Sequence, residues 1–474
     1  MPGADAVILG AGPSGLAAAY ELTRHGASVR VLERLEQVGG LARTIQHDGC
    51  RFDIGPHRFF TRNEEVHQLF VEVVAEDLLR VARLTRIHYR NKLFNYPLSP
   101  VNALFGVGPA SAVLMFLSYA RARLRHRLAP RPQHTFEEWM IDHFGARLYE
   151  TFFKTYTEKV WGISCDRIGA DWAAQRIKGL SLGVALKHAL LSPKKHTVKT
   201  LVDEFLFPRH GAGMFYEKLA DLVEVRGGTI LLGRRVVGLR RDGMRIRSVV
   251  AQGPDGQEEE VEAAQVLSSM PLIAMVEMLE PPPPEAVLAA CRRLRYRGHL
   301  GVHLKVRGLP FPDNWIYVHS REVRMARVAN YRNFSPQMAD GEGTSPLTVE
   351  YFAFEGDDFW KRADEELIEV AADELRQMGF VHPRDVLSGF VVRSQQAYPV
   401  IELGYHEHIA IIKAWLDRLT NLQPIGRSGM FKYNNQDHAI ATGLLAARNV
   451  LGLGRYDPWL VNIDAEYHEG GEAR

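Results

Sequence analysis

Ala6-Val7-Ile8-Leu9-Gly10-Ala11-Gly12-Pro13-Ser14-Gly15, read on to Glu33, is the stretch that decides the fold. An apolar run, a glycine turn, a helix-forming segment and a second apolar run ending in an acid follow in the order of a dinucleotide-binding unit. Gly10 permits the tight turn, Gly12 lets the backbone approach a pyrophosphate, and Gly15 lets the helix pack closely on the strand. The start of that helix then offers unpaired N–H groups and the positive end of its dipole to a phosphate. Glu33 lies eighteen residues after Gly15, near the ~20 expected of a ribose-binding carboxylate. Gly10, Gly12, Gly15 and Glu33 are therefore expected to hold an adenine dinucleotide.

Outward from this unit comes Val38-Gly39-Gly40-Leu41-Ala42-Arg43-Thr44. Glycine backbone can lie close to phosphate, and an arginine can bind phosphate through two N–H groups. The segment resembles the second glycine motif of the FAD-dependent amine oxidase and protoporphyrinogen oxidase superfamily. That resemblance implies FAD, with Gly39, Gly40 and Arg43 against its pyrophosphate. It implies the α/β class: a discontinuous Rossmann-type FAD-binding domain, an inserted helical domain and an antiparallel-sheet substrate domain. Val236 and Gly426 complete the expected cofactor set. No Cys or His stands in an attachment motif, so the FAD is expected to be non-covalent.

The composition is that of an ordinary soluble enzyme. The 474 residues suffice for two or three domains, and a net charge of +2 makes no electrostatic case for nucleic acid. Cys50, Cys165 and Cys291 are too few and too scattered for a disulfide framework or a metal site. They suggest a reducing, cytoplasmic location. The fold is expected to begin almost at once, which would leave no room for a signal peptide.

The expected organisation places FAD-domain segments at 1–98, 196–275 and 396–474, with a helical domain at 99–195 and a substrate-domain sheet at 276–395. Thr135 and Glu138 form a capping-box pattern ahead of an apolar-periodic run. His299-Leu300-Gly301-Val302-His303-Leu304-Lys305-Val306 alternates like a half-buried strand. No second glycine fingerprint marks a separate NAD(P) domain.

Leu93 to Ala120 carries no charge and is followed by Arg121-Ala122-Arg123-Leu124-Arg125-His126-Arg127. Its prolines allow a helix only from about Pro109, too short in its apolar part for the ~20 residues of a membrane span. Two readings stand. One is a buried helix whose basic last turn suits the helix dipole. The other is a peripheral membrane contact through 109–127, apolar with a cationic flank.

Three further segments resemble UDP-galactopyranose mutases and their bacterial FAD-dependent relatives. Gly55-Pro56-His57-Arg58-Phe59-Phe60-Thr61 resembles the loop that sets a histidine beside the flavin, which implies that role for His57. Phe152 to Trp161 resembles the segment around the uridine. Phe152 and Tyr156 are four apart and share a helix face, so the resemblance implies nucleotide contact for Phe152, Tyr156 and Trp161. From residue type alone, aromatics at this spacing are more often core. Gly426 to Asp437 resembles the segment bringing a helix start to the flavin. Arg427 and Tyr433 there match diphosphate-holding residues, as does Tyr398. Arg297 is a further match, and Asn435 stands where the mutases carry an acid. A mutase arginine expected near Leu180 is missing, with Arg176 and Lys178 out of register.

The resemblance implies catalysis by N5 of the reduced flavin at the anomeric carbon of a nucleotide sugar, with His57, Arg427, Tyr398 and Tyr433 in the catalytic set. The alternative is an FAD oxidase, dehydrogenase or desaturase on a different substrate, a class that includes lipid-linked ones. A flavin-free binder like the GDP-dissociation inhibitors is a third reading, opposed by the retained cofactor motifs. The oligomeric state is open and includes a dimer.

Overall fold

The computed structural model describes residues 4–96, 106–129, 131–170, 172 and 204–462. Strand β1 (Ala4–Leu9) buries Ala6, Val7, Ile8 and Leu9, as a strand covered on both faces requires. It lies parallel between β2 (Val29–Leu32) and Glu258–Ser268, with Val7 opposite Arg30 and Val266. Thr229–Leu231 extends the sheet beyond β2, and Leu422–Pro424 pairs parallel with Glu258–Ser268. Segments far apart in the chain thus build one Rossmann-type sheet, with α1 (Pro13–Arg24) on its face.

The second sheet has seven strands and is mostly antiparallel. At its centre β3 (Tyr296–Arg307) pairs with β5 (Thr344–Ala353) on one side and β6 (Val386–Pro399) on the other. Next to β5 lies β4 (Arg327–Asn330), followed by Trp315–Val318 and Thr85–Tyr89, which pair in parallel. Two expected boundaries move. Thr85–Tyr89 and Lys92–Asn95 belong to this sheet, not to the first FAD segment. Helices Leu272–Glu277 and Glu285–Arg292 pack into the core of the first sheet, so the substrate sheet begins again near Tyr296 rather than 276. Strand patterns do not reveal which sheet a strand joins.

The half-buried expectation for β3 is also corrected. Leu300, Val302, Leu304 and Val306 pack against Leu367, Ala371 and Leu375 of the helix Asp364–Gln377. His299, His303 and Lys305 are buried too. The polar face of the strand looks into the protein.

In the helical part, Thr135 and Glu138 close the expected capping box on Phe136–Phe144. Helix α2 (Pro109–Leu128) starts where Pro109 allows. It is not the buried helix of the first reading: among its residues only Met115 is buried. Helix α3 (Thr155–Trp161) follows a π-helical turn, Glu150–Lys154. Lys159 staples α3 to the second sheet by donating to the carbonyls of Val318, Ser320 and Met325 at 3.3, 2.7 and 2.9 Å. Its burial lowers its pKa to about 8. Among the described residues, no helix is long and apolar enough to cross a membrane and no side-chain group suits a metal ion.

Candidate active site

Backbone stripped of side chains forms the cradle. Gly12 is the N-cap of α1, and no side chain caps it. Gly39 and Gly40 take φ of 97° and 56°, where glycine is favoured. A Cβ on Gly40 would lie 3.1 Å from the Gly12 Cα, so the two glycine segments touch. The Gly39 N–H donates to the Ala11 carbonyl at 2.8 Å. The Arg43 Nη1 donates to the Gly40 carbonyl at 2.7 Å. Burial lowers the Arg43 pKa.

The Glu33 carboxylate accepts the Ala11 N–H at 2.7 Å and the Leu35 N–H at 2.9 Å. A carboxylate has about four acceptor positions, so acceptor capacity remains for hydroxyls. The Arg234 N–H donates to the Glu33 carbonyl at 2.7 Å, and Val236, two residues on, is buried in the same cluster as Leu9 and Leu32. Against the first turn of α1, Gly426 donates its N–H to Thr442 Oγ1 of α4 (Gln436–Val450) at 2.9 Å. A Cβ on Gly426 would sit 2.3 Å from Ser14 Oγ. An uncapped helix start, two touching glycine loops and an acid at the end of β2 fit an FAD: Gly10, Gly12, Gly15, Gly39, Gly40 and Arg43 toward the pyrophosphate, Glu33 toward the ribose.

This fit has a direct test. A Cβ on Gly15 would lie 1.9 Å from the Gly10 carbonyl oxygen. Gly15→Ala is therefore expected to displace the turn and weaken FAD about fivefold or more, from the ~1–3 kcal/mol of overpacking. Flavin content of the purified variant measures this. Full occupancy with an unchanged spectrum would remove Gly15 from the cradle.

Facing the cradle is the polar side of the second sheet. Strand register sets Glu350 opposite both Gly301 and Arg327. Glu350 is fully buried. Arg327 clasps it with two bonds, Nε to Oε1 and Nη2 to Oε2, each 2.5 Å. His299 Nε2 lies 3.0 Å from Oε2. Burial alone would raise the Glu350 pKa, but Arg327 and His299 hold it down at about 2. A Cβ on Gly55 would lie 3.2 Å from Glu350 Oε2, so the loop carrying His57 rests on this ion pair.

His57 is pushed down to about 3, first by burial and then by the positive charge of Arg427. Its Nδ1 is buried without a hydrogen-bond partner. Gln436, at the start of α4, donates to the His57 carbonyl at 3.3 Å. His57 is therefore a neutral imidazole under ordinary conditions. The activity of the enzyme is expected to show no limb between pH 5 and 9 that His57→Gln removes. A limb near pH 6.5 that disappears in the variant would contradict the burial argument.

The third wall is aromatic. The Arg427 guanidinium lies 5.1 Å from the Tyr398 ring centroid and 4.9 Å from that of Tyr433. The Nε donates to the Asn434 carbonyl at 2.7 Å, which aims the group. Tyr398 and Tyr433 are 5.6 Å apart, with Trp161 behind them at 6.3 and 5.5 Å. Burial and then Tyr433 raise the Tyr398 pKa to about 12, so its hydroxyl stays a donor.

The structure thus brings His57, Tyr398, Arg427 and Tyr433 together. Other expected residues go elsewhere. Phe152 is 1% exposed and packs on Tyr89 and Phe94, at 5.7 and 5.2 Å. It does not sandwich a base with Tyr156, which instead stacks on His319 at 4.9 Å. The π-helical turn before α3 breaks the regular spacing that would have aligned the two rings. Trp161 is buried and backs the tyrosines. Arg297 is buried as well; its Nη2 donates to the Phe352 carbonyl at 2.7 Å, and its guanidinium fills the space beside Gly162. It props the turn after Trp161. Asn435 is the N-cap of α4, and its N–H donates to His438 Nδ1 at 3.2 Å. The positions around Arg176, Lys178 and Leu180 lie outside the described residues.

Arg327, Glu350 and His299 were not foreseen. One signal was present: Glu350 is an acid in the middle of Leu347-Thr348-Val349-Glu350-Tyr351-Phe352, where charge is costly unless paired.

A family model described as flavin containing amine oxidoreductase matches residues 13–451. The chain is 32% identical over 177 residues to a protein named "Probable UDP-galactopyranose mutase" from Klebsiella pneumoniae, across 36% of this chain and 44% of that one. It is 27% identical over 307 residues to the zeta-carotene-forming phytoene desaturase of Myxococcus xanthus, across 61% and 57%. Neither alignment spans two thirds of the relative. A crystal structure of reduced UDP-galactopyranose mutase superposes with a TM-score of 0.83 over 98% of this chain and 97% of that one, at 20% identity. Wild-type putrescine oxidase bound to putrescine gives 0.61 over 95% and 99%, at 16%. At such identities these structures speak for the fold alone.

Proposed function

Because the chain belongs to the family of flavin-containing amine oxidoreductases and is an FAD enzyme, we propose that it acts on a nucleotide sugar in the manner of a UDP-galactopyranose mutase. The observation that carries this reading is the chemistry of the wall facing the cradle. Two guanidinium groups, Arg327 and Arg427, are set among Tyr156, Tyr398 and Tyr433; burial, the first influence on the Tyr398 pKa, is modified by Tyr433, Arg327 and Arg427 in turn. Arginines of this kind suit a diphosphate, which they bind through several charge-assisted bonds. Arg327 is already paired with Glu350, so the weight falls on Arg427: a polyene such as a carotenoid would leave that guanidinium without an anionic partner, at a cost of about 1–3 kcal/mol.

Bound FAD supplies, in its reduced form, the nucleophilic N5. The residues supply position and charge. Arg427 and Tyr433 hold the diphosphate, with the Tyr398 hydroxyl donating. Tyr156, stacked on His319, offers a ring face toward the base. Neutral His57 adds no charge beside the flavin. The Arg327–Glu350 pair keeps the His57 loop in place.

Anaerobic incubation with UDP-galactopyranose tests the proposal, with oxidised and dithionite-reduced protein compared by chromatography. A new UDP-hexose isomer formed only by reduced protein is expected. No conversion in either state, with the flavin intact, would sink the nucleotide-sugar reading. The desaturase relative would then favour net redox chemistry, checked by which substrates bleach the flavin.

A further inference from the structure

Helix α2 exposes a stripe that its sequence and placement make specific. At 3.6 residues per turn, Val113, Leu117, Ala120, Leu124 and Leu128 fall along one line of the helix. All five are exposed, Val113 at 59% and Leu128 at 76% among them. Leu114, Arg121 and Arg125 flank the line on one side, and Phe116, Arg123 and Arg127 on the other, all exposed. The opposite side carries Met115, Ser118, Tyr119 and His126 and faces the protein. There Gly145 presses against the backbone of Ser118 and Tyr119, and His126 meets Asp142. The helix contains no Asp or Glu. None of the four arginines forms an ion pair among the described residues.

We infer that this face docks on an anionic lipid bilayer. An apolar line between two rows of arginine is the arrangement of a helix lying in a membrane interface: the line enters the acyl boundary and the arginines meet lipid phosphates. Twenty residues give about 30 Å of such contact. A second copy of the chain is the weaker occupant, because a two-fold pairing of this face would set arginine rows against arginine rows. The anchor Met115 belongs to the same packed cluster as Trp161, Tyr398 and Tyr433.

The test uses the FAD-loaded full chain and sedimentation with vesicles. One set is phosphatidylcholine alone, and the other is equal parts phosphatidylcholine and phosphatidylglycerol. Partition onto the anionic set is expected to be at least about tenfold greater and to weaken with salt. Val113→Ser with Leu117→Ser and Leu124→Ser is expected to lower it about tenfold or more. So is glutamine at all four arginines. Because every changed side chain is exposed, flavin content and thermal midpoint should hold. Absence of partition onto either set would overturn the proposal, as would serine variants that bind as well as the parent. A change of oligomeric state in the serine variant, without vesicle binding by the parent, would overturn it in favour of self-association.

Discussion

Arg427→Ala is expected to lower kcat/KM for the nucleotide sugar by about 10²–10³, the range for removing one preorganised donor from developing charge. Arg427 sits between two tyrosine rings with its Nε bound to a carbonyl, so its geometry is set before any ligand arrives. Arg427→Lys should recover little of the loss. Lysine keeps the charge but has neither the planar fork nor the ring stacking. Two readouts separate the ligand role from a structural one. The flavin spectrum and content should match the parent in both variants. Affinity for UDP alone should fall in parallel with kcat/KM. Unchanged UDP affinity in Arg427→Ala would remove Arg427 from the diphosphate site, whatever the activity.

Arg327→Met is expected to destabilise the protein by about 3–5 kcal/mol, because it leaves Glu350 buried without its partner. The sign of the pH dependence follows from the same pair. In the parent, Glu350 titrates at about 2, below its ordinary 4.5, so its contribution is complete above pH 4.5 and is lost as pH falls through 2. Without Arg327, burial dominates and raises that pKa above the ordinary value. The variant's deficit should therefore shrink as the pH is lowered toward 5, where Glu350 takes up a proton. Adding Glu350→Gln should restore most of the stability at neutral pH while leaving the anion site without one guanidinium. Thermal midpoints with excess FAD, taken across pH, measure all of this. A pH-independent deficit in Arg327→Met, unrelieved by Glu350→Gln, would show that the pair is not the source.

How much of this was legible in the chain differs from element to element. The turn from Gly10 to Gly15, Glu33 and the Gly39–Gly40–Arg43 loop are each encoded within a few residues. Their demands are local: a positive φ, a missing Cβ, an acid at a strand end. Arg427 and Tyr433 were singled out only through the resemblance of the segment before α4, which carries both in one loop. Phe152 was misassigned because four-residue spacing presumes a regular helix, and the π-helical turn Glu150–Lys154 rotates that ring into the core. His299 and His303 looked like the wet side of a strand. They are buried because that face is covered, His303 by Phe52 and Phe390 and His299 by Phe352 and the Glu350 carboxylate.

The sequence by itself determined the cofactor cradle and the fold class, because backbone conformation and helix and strand periodicity act between near neighbours. Only the tertiary structure decided the wall opposite the cradle. Arg327, Glu350 and His299 come from three strands, and strand register alone sets the arginine across from the acid. Only the tertiary structure, too, decided that α2 turns its apolar line outward. Burial belongs to what packs against a residue, and that is not a property of the residue's own stretch of chain.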